Sequence, residues 1–245
     1  MYPIIPFQLS ESRSDLFRSW LDQRSRLNDD PLIKRAFYYS KNEQHGIYSG
    51  EAELHPFAQQ VTALASDLLL IVTSGLITLG ISNGETLVAG PQTSVVMPRG
   101  ASVHWENAPG TRVWFVAYQP DQALSASATL PFSIDTDAPL ESVAGPAAEL
   151  ITSEGYPDVH RRVVYLSADG KFSVGIWQAT AYTRRLAAFS DYELMYPVLG
   201  EINITNALGE SHTYGPHDVF IVNRCIINAW HSNGVVQKIY STFSI

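Results

Sequence analysis

Sliding the chain against itself at an offset of 125 residues lays residues 50–115 on 175–240 without a gap. Gly50 falls on Gly175, Gly75 on Gly200, Gly84 on Gly209 and Gly90 on Gly215. Pro91 meets Pro216, Arg99 meets Arg224 and Trp105 meets Trp230, with Leu69/Leu194, Ile77/Ile202 and Glu85/Glu210 also coinciding. Chance supplies scattered identities over such a length, but not glycines in register. Because glycine marks turns and close backbone approaches, sharing the glycines means sharing a turn plan. The chain therefore reads as a duplicated domain.

Each copy reads as a succession of short strands. In the second, Phe172–Thr180, Glu193–Leu199, Glu201–Thr205 and Val219–Val222 are apolar or alternating runs. Gly200, the Leu208-Gly209-Glu210 turn and Gly215-Pro216 separate them, and Gly200 leaves almost no room for a loop. Short, regularly spaced strands without crossover helices predict an all-β chain of antiparallel sandwiches or barrels.

Composition narrows the functional classes. Hydrophobic residues make up 45% and aromatics 11%, enough to fill sizeable cores and exclude a disordered chain. Charged residues are only 16%, against roughly 25% in typical soluble domains, which points to surface covered by another subunit. A net charge of −8 argues against nucleic acid as a partner. No apolar run approaches the roughly 18 residues of a membrane helix. Met1-Tyr2-Pro3-Ile4-Ile5-Pro6 lacks the basic start of a signal peptide, so a cytoplasmic protein is expected. Cys225 is the single cysteine, read as a structural thiol; an internal disulfide is excluded. Nucleotide-binding glycine motifs, nucleophile elbows and Ser/His/Asp patterns are absent, so no nucleotide cofactor is expected.

The expected domain plan is an arm over 1–34, a first barrel over 35–118, a connector over 119–159 and a second barrel over 160–245. Within the arm, Leu16, Phe17, Trp20, Leu21 and Leu27 share one face of a predicted helix over 12–27, a lid or dimer arm. The connector is rich in Ala, Ser, Pro and Asp, with a short helical turn expected at 147–152.

The run Gly175-Ile-Trp-Gln, then Asp191-Tyr-Glu-Leu-Met-Tyr-Pro-Val-Leu-Gly200, then His217-Asp218-Val-Phe-Ile-Val, closed by Ala229-Trp230 and Lys238-Ile-Tyr240, resembles the cupin superfamily. Within that superfamily it is similar to ureidoglycine aminohydrolase-like domains. The resemblance implies a bicupin, two tandem jelly-roll barrels each with a pocket in its mouth. It also implies a divalent metal held by two His and a Glu on one strand and a His on a later one. Here the Glu position is Glu193, the His-x-His positions fall on Ala187 and Phe189 (or Leu186 and Ala188), and the late His position is Asn228. The first copy offers Thr62, Leu64, Leu68 and Val103. One carboxylate and one amide do not make a transition-metal site, so metal-free barrels without cofactor are expected. The Pro98-Arg99-Gly100 turn of the first copy has become Asn223-Arg224-Cys225 in the second.

The candidate site then lies in the second barrel. Period-two facing turns Glu193, Met195 and Pro197 inward together, and Asn228 with Trp230, while Ala229 and His231 face out. Trp177 forms a wall, and Arg184 and Arg185 lie upstream as solvated rim residues, as an anion contact at the barrel mouth or as partners for Glu193. An apolar, aromatic cavity with one acid and one amide suits a small molecule. A lone carboxyl there would have its charged form disfavoured and could serve as a general acid or base. Three readings stand open: a metal-independent metabolite-binding protein, an isomerase, cyclase, lyase or C–N hydrolase using Glu193, or a structural assembly subunit. A homodimer with covered edge strands is expected in each case.

Overall fold

The computed structural model describes residues 5–6, 33–42, 44–120 and 129–244. The helix expected over 12–27 lies outside them. Apart from one 3-10 turn at Ala148–Leu150, the regular structure of the described residues is all β, and every ladder is antiparallel. No helix among them is long and apolar enough to cross a membrane.

Two compact units divide the chain, one within Gln8–Ile134, the other within Asp135–Ile245 together with the strand Ile5–Pro6. In the C-terminal unit a seven-stranded sheet runs Ile5–Pro6, Phe220–Val222, Tyr192–Leu199, Val236–Phe243, Phe172–Ala179, Val159–Leu166, Glu141–Ser142. Its partner sheet has four strands, Tyr182–Ala188, Ile227–Ser232, Ile202–Asn206, Ser211–Tyr214. The N-terminal unit repeats the plan. Its six-stranded sheet is Phe132–Ser133, Ser94–Met97, Asp67–Ser74, Arg112–Tyr118, Ile47–Leu54, Ile33–Asn42. A four-stranded sheet of Phe57–Val61, Val103–Asn107, Ile77–Ile81 and Thr86–Ala89 completes it.

The repeat seen in the sequence recurs in the register of the central ladders. Glu193 opposes Thr242 as Leu68 opposes Ala117, Trp177 opposes Lys238 as Ala52 opposes Val113, and Ile204 opposes Trp230 as Leu79 opposes Trp105. Backbone strain follows the same register. Left-handed φ recurs at Gly75 (79°) and Gly200 (75°), Gly84 (88°) and Gly209 (83°), Gln92 (72°) and His217 (74°), and Gly100 (84°) and Cys225 (66°). At Gly200 a side chain would meet the Val235 carbonyl oxygen at 2.2 Å, so the tight bend requires glycine.

Residues of the expected connector join both sheets at their edges. Phe132–Ser133 pairs with Ser94–Met97, and Glu141–Ser142 with Val159–Leu166. In each unit the core lies between the larger and the smaller sheet. The C-terminal core gathers Ala179, Met195, Phe220 and Val236 from one sheet and Ile202, Ile204 and Trp230 from the other. The N-terminal core uses Leu70, Val95, Val113 and Phe115 against Ile77, Leu79, Val103 and Trp105.

Candidate functional site

Alternation along three strands decides what enters the C-terminal interior. On Val236–Phe243 the residues facing the core are Val236, Lys238 and Tyr240; on Tyr192–Leu199 they are Glu193 and Met195; on Phe172–Ala179 they are Trp177 and Ala179. Tyr182 and Arg184 enter from one strand of the smaller sheet, Asn228 and Trp230 from its neighbour.

Glu193 is not the lone carboxyl expected from sequence. Its Oε1 accepts a hydrogen bond from Lys238 Nζ at 2.7 Å, with side-chain exposures of 12% and 7%. Neither Arg184 nor Arg185 is the partner. The ammonium also lies 3.2 Å from Met195 Sδ and sits over the rings of Trp177 and Trp230, 4.9 and 5.3 Å from their centroids. Two indole faces and a thioether thus surround a cation whose charge is met by one carboxylate. Sequence reasoning passed over Lys238 as the start of a closing strand segment. Its signal was the inward phase shared with Val236 and Tyr240.

Arg184 is buried, and its Nη2 donates to Asn228 Oδ1 at 2.5 Å. It is therefore no solvated rim residue, whereas Arg185 is exposed. Asn228 contacts Arg184, not Glu193, and its Nδ2 donates to the Ile226 carbonyl at 3.3 Å. Burial pushes the Arg184 guanidinium below the ordinary arginine value, and nearby Tyr182 opposes that shift. Among the described residues no carboxylate lies within ion-pair distance of Arg184. A bulge between Arg184 and Ala187 puts Arg184 opposite Trp230 and Ala187 opposite Asn228. Residues 151–153 brace the edge of this strand: Thr152 N–H donates to the Thr183 carbonyl at 2.9 Å, and Thr183 N–H to Ser153 Oγ at 3.1 Å.

The aromatic wall is continuous. Tyr182 stacks on Trp230 with centroids 5.8 Å apart, and Trp177 meets Trp230 edge-on at 5.6 Å. Burial raises the Tyr182 hydroxyl strongly, with Arg184 opposing and Glu193 adding. Burial likewise raises Tyr240, with Arg161 opposing and Glu193 adding. Among the described residues, three buried polar atoms of this unit have no hydrogen-bond partner: Trp230 Nε1, Tyr240 Oη and Tyr214 Oη.

The N-terminal unit shows how the same positions look without such groups. Leu68, Val113 and Val103 replace Glu193, Lys238 and Asn228, while Ala52 replaces Trp177 and the exposed Gln59 replaces Arg184. Phe115 and Ala89 stand for Tyr240 and Tyr214, which removes both hydroxyls. Trp105, the counterpart of Trp230, donates its indole N–H to Asn107 Oδ1 at 3.0 Å. The second unit has Ser232 there, and its indole goes unmet.

No family model and no curated protein matches this sequence. Solved structures do match its fold. A protein of unknown function from Pseudomonas syringae pv. tomato, belonging to the DUF861 family, superposes with a TM-score of 0.76 at 23% identity, covering 84% of this chain and 85% of that one. A cupin 2 conserved barrel domain protein from Leptotrichia buccalis gives 0.57 at 8% identity, over 98% of this chain and 100% of that one. A variant of salicylate 1,2-dioxygenase from Pseudoaminobacter salicylatoxidans gives 0.52 at 11% identity, over 98% and 84%. The chain has the cupin fold.

A divalent metal of the kind common on this fold does not fit the residues present. Ala187 and Phe189 offer no donor, the Asn228 amide is held by Arg184, and Glu193 is already neutralised by an ammonium that would repel a second cation. Among the described residues, no group of three or more His, Cys, Asp or Glu is gathered to hold a metal.

Proposed function

We propose that this chain is a bicupin whose C-terminal unit binds a small-molecule metabolite in its interior without a metal. The observation that carries the reading is the contrast between the two copies. Where one has Leu68, Val113, Val103, Phe115 and Ala89, the other has Glu193, Lys238, Asn228 and the hydroxyls of Tyr240 and Tyr214, and it adds the buried Arg184 where the first has the exposed Gln59. Burying such groups costs stability, and a buried donor left unpaired costs roughly 1–3 kcal/mol. The N-terminal copy supports the view that the fold itself does not need them. Trp177, Tyr182 and Trp230 would supply the apolar wall and Arg184 and Asn228 the polar contacts.

Binding is favoured over acid/base turnover because the Glu193 carboxylate is committed to Lys238. The test is a thermal-shift screen of small metabolites against the wild-type chain and the Glu193→Leu/Lys238→Val variant, which installs the residues found at 68 and 113. A ligand at 100 times its Kd contributes about 2.7 kcal/mol, or roughly 5–11 °C for a chain of this size. Ligands should shift the wild type and not the variant. Hits that shift both alike would reject the C-terminal interior as the site, and stoichiometric Mn, Fe, Ni or Zn in the purified protein would reject the metal-free reading.

A further inference from the structure

The charges inside the C-terminal unit do not cancel. Glu193 and Lys238 neutralise each other at 2.7 Å, which leaves the buried Arg184 guanidinium beside the Asn228 amide and Tyr182, with no carboxylate within ion-pair distance among the described residues. An unmatched buried charge is expensive, and a folded chain retains one where something else completes it. Arginine presents five donors in one plane, and among the described residues only Nη2 is engaged, by Asn228. Trp230 Nε1 and Tyr240 Oη are further buried donors without an acceptor among the described residues. Among the described residues that enter this interior, the charges sum to one positive charge in excess.

We infer that the ligand of this site is a monoanion, a carboxylate on an apolar body with no cationic group, anchored by the Arg184 guanidinium. The inference rests on the small-molecule reading above and adds the ligand's charge class. One carboxylate balances the excess charge and accepts two parallel N–H bonds from a guanidinium. A dianionic phosphate ester would overcompensate, and a ligand amine would meet two like charges, Lys238 and Arg184. The apolar body would lie against Trp177, Tyr182 and Trp230, whose rings stand 5.6–6.5 Å apart.

The probes are benzoate, benzamide and benzylammonium, which share a ring and carry −1, 0 and +1, with propionate, propionamide and propylammonium as a smaller set. Titration calorimetry on the wild-type chain in carboxylate-free buffer should show saturable binding of a carboxylate at least 10-fold tighter than its amide, and none of the ammonium. Arg184→Gln, the residue of the other copy, should weaken carboxylate binding at least 10-fold, and Arg184→Lys should restore part of it. The comparison among probes uses wild-type protein, so it stands even if a variant fails to fold. An amide that binds as tightly as its carboxylate, a preferred ammonium, or no binding of either carboxylate at 20 mM would overturn the inference. The small-molecule reading would survive each of those results provided metabolites in the screen still separated wild type from Glu193→Leu/Lys238→Val.

Discussion

Replacing Lys238 by methionine keeps most of the side-chain volume and removes the cation beside Glu193. The pair is largely enclosed, with side-chain exposures of 7% and 12%, so water cannot take over the role of the ammonium. Removing one member of a buried pair typically costs about 3–5 kcal/mol, because the partner's charge stays behind uncompensated. Removing both is a different perturbation. Exchange of a buried pair for well-packed apolar residues is often neutral, or stabilising by about 1–4 kcal/mol. Leu68 and Val113 occupy these positions in the N-terminal unit, opposite Ala117 and Ala52, so Glu193→Leu/Lys238→Val installs a combination the fold already accommodates.

The expected order of stability is therefore double variant at or above wild type, with Lys238→Met well below both. At roughly 2–4 °C per kcal/mol for a chain this long, Lys238→Met should melt about 6–20 °C lower. Calorimetry would measure this, with urea unfolding at constant m-value checking that the native state is compared each time. A loss under about 1 kcal/mol for Lys238→Met is what an exposed ion pair would give, and would mean the interior is solvated. A double variant as unstable as the single would show that the pair organises the core and is not dispensable to the fold. Either result removes the ground for treating these charges as functional.

Other outcomes follow from the same structure. Tyr240→Phe deletes a buried hydroxyl without a partner and installs the residue of the other copy, so it should stabilise the free protein by about 1 kcal/mol, read as a raised urea midpoint. Cys225 holds φ 66° where the first copy has Gly100, and Cys225→Gly should relieve strain and raise Tm by roughly 1–3 °C. Burial raises Tyr196 and Tyr214 to about 12, with Asp218 adding at Tyr214. Since unfolded tyrosine titrates near 10, their contribution is complete below about pH 10 and falls by about 1.4 kcal/mol per pH unit per tyrosine up to 12. Tyrosinate absorbance from these two rings should therefore appear together with alkaline unfolding, and its appearance in the folded protein near pH 10 would refute the shifts. Light scattering should give twice the 27.1 kDa chain mass if the low surface charge reflects a homodimer, and a monomer would refute that.

The duplication was legible because turns are written locally. Gly75 and Gly200 or Gly84 and Gly209 announce left-handed backbone wherever they stand, and the same φ reappears at Gln92 and His217, where no glycine marks it. Facing was legible for the same reason: period two alone puts Met195 and Trp230 in the core and His231 outside. The Glu193–Lys238 pair was not, because its members are 45 residues apart and meet only once Tyr192–Leu199 is laid beside Val236–Phe243. Nor was the Arg184–Asn228 contact, because its members are 44 residues apart and Arg184 stands opposite Trp230 in the ladder, not opposite Asn228. What the repeat does provide is a control within one chain. The shared register at these positions means that the fold does not decide between Val113 and Lys238, or between Phe115 and Tyr240. On the proposed reading, the side chains that differ, and cost stability where they do, serve a ligand of the C-terminal interior.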